Sequence, residues 1–78
     1  MKLPRDVSSA QVVRALTGLG YTVVRQTGSH IRLDYKGRRI TVSVANPILP
    51  ATLQSVIREV RAQTGIARDK LLNLIKRR

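Results

Sequence analysis

Seventy-eight residues, 42% of them hydrophobic and none of them cysteine, allow one small folded domain over residues 1–78 and exclude disulfides and thiolate metal sites. The net charge of +11 comes from 15 Lys and Arg against 4 Asp and Glu, with eight basic residues before Pro47 and seven after it. That spread describes a folded basic surface for a polyanion, ending in a short basic tail over residues 76–78.

Ser8 followed by Gln11 is a capping-box pattern, and Val12, Val13, Leu16 and Leu19 then recur at helical spacing up to Gly20. This predicts a first helix over 9–19. Residues 21–26 are short and rich in β-branched side chains, as in a strand, and Thr27-Gly28-Ser29 breaks the run. Residues 30–35 alternate as His-Ile-Arg-Leu-Asp-Tyr, Lys36-Gly37 supplies a turn, and residues 39–44 alternate again.

With a two-residue turn at Lys36-Gly37, Tyr35 faces Arg38, Asp34 faces Arg39, Leu33 faces Ile40, Ile31 faces Val42 and His30 faces Ser43. One face then carries Ile31, Leu33, Ile40, Val42 and Val44 for a core. The other carries His30, Arg32, Asp34, Arg39, Thr41 and Ser43 for solvent or ligand. After a proline-bounded connection, Thr52 is positioned to cap a second helix with Leu53, Val56, Ile57 and Val60 as its apolar stripe and Gly65 as its stop. A shorter third helix is expected over 67–75, with Leu71, Leu72 and Ile75 apolar. The fold class is α+β, in the order α-β-β-β-α-α, with helices on one face of a three-stranded antiparallel sheet.

The only histidine of the chain, His30, lies among Arg25, Arg32, Lys36, Arg38 and Arg39, the residues expected to bind RNA phosphates. One histidine and four scattered carboxylates (Asp6, Asp34, Glu59, Asp69) have no metal-ligand spacing, so no metal site is expected. Tyr21 and Tyr35 are the only aromatics, too few for a base-stacking platform. What remains is backbone recognition of RNA, which carries its own 2′-hydroxyl nucleophile. An imidazole acting as general acid or base, with cationic groups around the phosphorus, meets the minimum for metal-free cleavage. A polar surface histidine on a plain RNA-binding module meets the same description.

Specific stretches carry a resemblance: Arg5-Asp6, then Leu16-x-x-Leu19-Gly20-Tyr21, then Arg25-Gln26-Thr27-Gly28-Ser29-His30, then Leu49-Pro50-Ala51-Thr52-Leu53, and finally Thr64-Gly65-Ile66. In this order they resemble the HicA-type mRNA interferase toxins of toxin–antitoxin pairs. The resemblance implies a fold like the double-stranded-RNA-binding domain and an endoribonuclease that cleaves mRNA without a cofactor. It implies that His30 is catalytic, with Gly28 and Ser29 as the supporting part of its motif. It also implies a HicB-type antitoxin as protein partner. Two departures stand out: residues 42–47 contain no second histidine, and Ala51 stands where glycine is common.

The competing function is a non-enzymatic RNA-binding module of the same fold. A DNA-binding or ribosome-associated basic protein ranks last, because the short, capped helices show no helix-turn-helix pattern. No apolar stretch approaches the roughly 20 residues of a membrane span, and residues 1–6 lack the apolar core of a signal peptide. No membrane partner is expected, and the expected location is cytoplasmic.

Overall fold

The structure is a computed structural model in which residues 2–77 are described. The chain runs α1 (Ser9–Leu19), β1 (Thr22–Thr27), β2 (His30–Tyr35), β3 (Arg38–Ser43), α2 (Pro50–Thr64) and α3 (Arg68–Lys76). This is the expected α+β order, and its α-β-β-β-α part has the arrangement of the double-stranded-RNA-binding-domain-like fold.

The capping box at α1 is formed in both directions. The Gln11 backbone N–H donates to Ser8 Oγ at 3.2 Å, and the Ser8 N–H donates to Gln11 Oε1 at 3.1 Å. Two donors that a helix start leaves unpaired are thereby satisfied. Gly20 ends the helix at φ +112°, where an added Cβ would also sit 3.4 Å from the Tyr35 ring. Because this cap turns Tyr21 inward, to 3% exposure, β1 begins at Thr22 and not at Tyr21 as expected.

The antiparallel sheet has the order β1-β2-β3, and the β2–β3 register is the one predicted, from His30 opposite Ser43 to Tyr35 opposite Arg38. Lys36 at φ 48° and Gly37 at φ 83° make the connecting turn, the pair of positive values that a type I′ hairpin needs. Ile31, Leu33, Ile40 and Val42 are buried on the helix side, whereas Val44, expected beside them, is 45% exposed. It lies one residue past β3, where its N–H donates to the Ser29 carbonyl at 2.8 Å.

The second helix departs from expectation at its start. Leu49 is its N-cap and Pro50 its first residue, so Thr52 lies inside the first turn and does not cap it. A proline there has no N–H to satisfy and a φ already set for a helix, which replaces the side-chain cap. The third helix starts one residue later than expected, with Ala67 as its N-cap. It also takes in Lys76, the first residue of the expected basic tail, while Arg78 lies outside the described residues.

Leu53, Val56, Ile57 and Val60 of α2 and Val12, Ala15 and Leu16 of α1 close over the sheet. Leu71, Leu72 and Ile75 of α3 are fully buried, and α3 packs against α1 and α2. The connection between β3 and α2 is tied to the start of α1. The Ser9 N–H donates to the Ala45 carbonyl at 2.9 Å, the Ala45 N–H donates to Ser9 Oγ at 3.1 Å, and the Ile48 N–H donates to the Val7 carbonyl at 2.7 Å. Val7 and Ile48 join the core through these bonds. With every helix on one side, the opposite face of the sheet is left open.

Candidate nucleic-acid interface

Strict alternation along β1 would put Thr22 outward, Val23 inward, Val24 outward and Arg25 inward. A charged guanidinium would then point at the core face. The pairing avoids this with one extra residue: Val23 is opposite Leu33, Arg25 is opposite Arg32, and Val24 between them has no partner on β2. A one-residue bulge switches which face the following residues take. Arg25 and Thr27 therefore join Arg32 and His30 on the open face.

His30 opens β2, flanked by Thr27 on β1 and Ser43 on β3. Arg25, Thr27, His30, Arg32 and Thr41 line one concavity of about 340 Å³. Two guanidinium groups, two hydroxyls and one imidazole converge there, and none of these five residues is acidic. A lining of this kind attracts a phosphate and offers hydroxyls to the oxygens beside it.

Just before His30, Gly28 turns the chain at φ +46°; open space surrounds it, so backbone conformation and not crowding favours glycine. Ser29 lies between Gly28 and β2 with its carbonyl tied to Val44, and its Oγ is 3.2 Å from His30 Nδ1.

The remaining predicted phosphate contacts are not gathered here. Arg39 shares the open face but pairs with Asp34, four residues along β3 from Ser43. At roughly 3.3 Å per residue Arg39 is about 13 Å along the strand from Ser43 and about 7 Å from Thr41, at the edge of the concavity and outside its lining. Arg38 is opposite Tyr35, and Lys36 Nζ lies 5.4 Å from the centre of the Tyr35 ring at the far turn. Sequence reasoning missed Thr27 and Thr41 as lining residues. Thr41 was legible as the cross-strand partner of Arg32, and Thr27 becomes legible once Gly28-Ser29 is read as a two-residue turn.

The two tyrosines lie at that far end, stacked on each other with ring centres 4.9 Å apart and an interplanar angle of 26°. Tyr21 donates to Gln63 Oε1 at 2.6 Å, and Gln63 Nε2 donates to the Arg39 carbonyl at 3.0 Å, joining α2 to β3. Burial, reinforced by Tyr35 and Glu59, pushes the Tyr21 phenol up to about 12, which keeps it a neutral donor.

Among the described residues no group of three His, Asp or Glu is placed to hold a metal ion, and no helix is long and apolar enough to cross a membrane. No curated protein and no solved structure gives a significant match to the chain. The model of the family described as the HicA toxin of bacterial toxin–antitoxin matches residues 9–62, from the first residue of α1 to two residues short of the end of α2. The matched part holds the whole sheet, its open face and the Gly28-Ser29-His30 turn. By this match, over more than half its length, the chain belongs to the HicA toxin family and is the toxin of a toxin–antitoxin pair.

Proposed function

We propose that the protein is a metal-independent endoribonuclease that cleaves mRNA at the concavity of the open sheet face, with His30 as its catalytic residue. The observation that carries this reading is the joint placement of His30, Arg25, Arg32 and two threonine hydroxyls around one concavity. His30 takes the proton from a ribose 2′-hydroxyl, and the 2′-oxygen bonds to the adjacent phosphorus. The bond from phosphorus to the 5′-oxygen breaks, and that oxygen takes a proton from solvent. Arg25 and Arg32 stabilise the charge on the phosphorane, the point where fixed cations lower the barrier most. Thr27 and Thr41 hold the ribose and phosphate oxygens. Gly28 and Ser29 form the turn that presents the imidazole.

Arg39, on the same face, and Lys36 and Arg38, at the far turn, hold the RNA backbone away from the cleaved bond. The antitoxin, of the HicB type, neutralises the toxin by covering the concavity. The site of action is the cytoplasm, where mRNA is met, and residues 1–78 act as one toxin domain.

Cleavage by antitoxin-free protein tests the reading. The wild type is expected to yield 2′,3′-cyclic phosphate and 5′-hydroxyl ends, to spare a substrate with a 2′-deoxy sugar at the cleaved position, and to arrest growth when expressed. His30→Ala is expected to do none of this while still binding RNA. Binding without cleavage by the wild type, or equal toxicity of the two proteins, would replace the enzyme with an RNA-binding module.

A further inference from the structure

We infer that Ser29 is a positioning residue for His30: it holds the Nδ1 edge of the imidazole at the turn and leaves Nε2 as the nitrogen presented to RNA. This rests on the proposed cleavage reaction and specifies which nitrogen carries it.

The two ring nitrogens are chemically distinct, and the bond made by one decides what the other can do. Ser29 Oγ lies 3.2 Å from Nδ1. The serine is itself held from both sides. Its carbonyl accepts the Val44 N–H at 2.8 Å, which fastens the turn to the end of β3, and Gly28 at φ +46° sets the direction of the chain before it. The hydroxyl is therefore delivered by backbone geometry, while the imidazole is exposed and makes up part of the concavity wall.

A hydroxyl suits this position because it both accepts and donates. When Oγ accepts from Nδ1–H, the lone pair is on Nε2, the state in which Nε2 takes a proton from the 2′-hydroxyl. After the transfer Nδ1 still carries its proton and Oγ still accepts it, so the contact survives the step. Arg25 and Arg32 line the same concavity, where their charge attracts the phosphate. Ser29 thus supplies orientation without adding charge, as suits a site whose substrate is already anionic.

The test separates this role from the cleavage reading by using two readouts on the full chain. Nitrogen-15 NMR of the His30 ring reports the tautomer without RNA. The wild type is expected to hold its proton mainly on Nδ1, Ser29→Ala to shift towards Nε2–H, and Ser29→Thr to restore the wild-type ratio. With an RNA oligonucleotide, Ser29→Ala is expected to lower kcat by about tenfold, part of the roughly 10²–10⁴ of general acid–base catalysis, with KM unchanged and Ser29→Thr recovering most of the loss. Identical ring spectra in wild type and Ser29→Ala would overturn the inference, as would an unchanged kcat. A tautomer shift in a protein whose wild type cuts no RNA would uphold the positioning contact and overturn the nuclease.

Discussion

Both ends of β2 finish in a two-residue turn containing one glycine, with basic residues close by, yet they do opposite things. At the Lys36-Gly37 end the side chains are used on the protein itself. Tyr21 stacks on Tyr35, Lys36 lies over the Tyr35 ring, and Gln63 bridges the Tyr21 hydroxyl to β3. At the Gly28-Ser29 end the backbone does the holding, through the Ser29 carbonyl and the Val44 N–H, and the side chains of Arg25, Thr27, His30 and Arg32 are left to line a concavity. Helices cover the inner face at both ends, and among the described residues no element covers the outer face. A turn secured by main-chain bonds leaves its side chains to line a concavity, whereas the turn secured by side-chain packing gathers no such lining and leaves Lys36 and Arg38 exposed at its edge.

His30→Ala should separate the two ends most widely. Its cleavage rate is expected to fall by roughly 10²–10⁴ in single-turnover assays. The imidazole is exposed, so thermal or urea unfolding should show a change within about 0.5 kcal/mol. A comparable rate loss in Lys36→Ala would erase the distinction between the ends.

Arg25→Ala and Arg32→Ala should each flatten the salt dependence of RNA binding by about one phosphate contact and also slow cleavage at saturating RNA. Lys36→Ala and Arg38→Ala should change only the salt dependence. Matching effects on kcat from all four would mean that the bulge at Val24 serves no catalytic placement.

Tyr21→Phe works at the other end. Removing the hydroxyl bonded to Gln63 should cost about 1 kcal/mol in urea unfolding and leave kcat unchanged. The same variant has a pH signature. The folded phenol is pushed from 10.0 up to about 12, so the native state keeps its proton where the unfolded chain loses it. Wild-type stability is therefore whole below pH 10 and falls between pH 10 and about 12, a loss that Tyr21→Phe should lack. The smallest effect is Lys36→Asn: a lysine at φ 48° gives way to a residue that tolerates this conformation, raising stability by about 0.5 kcal/mol.

Much of the open face was legible because an alternating hairpin has few registers that keep apolar residues on one side. Once Lys36-Gly37 is taken as a two-residue turn, His30 must oppose Ser43 and share a face with Arg32. The placement of Arg25 was not legible. Val23 and Val24 are the same residue type, and nothing local says which of them leaves the ladder. The start of α2 was misread for a related reason, since Thr52 is a good cap by composition and Pro50 is a good first residue by conformation. Only the packing of Ile48 and Leu53 into the core decides between them.

Periodicity and turn chemistry over a few residues suffice for the α-β-β-β-α-α order, the β2–β3 register and the exposure of His30. Only the assembled sheet brings Arg25 to the open face and Ser29 Oγ to Nδ1 of His30. These depend on how β1 pairs with β2 and where the end of β3 ties down the turn. Such contacts are settled by the whole sheet minimising buried charge and unpaired backbone groups, and no short window of residues contains that balance.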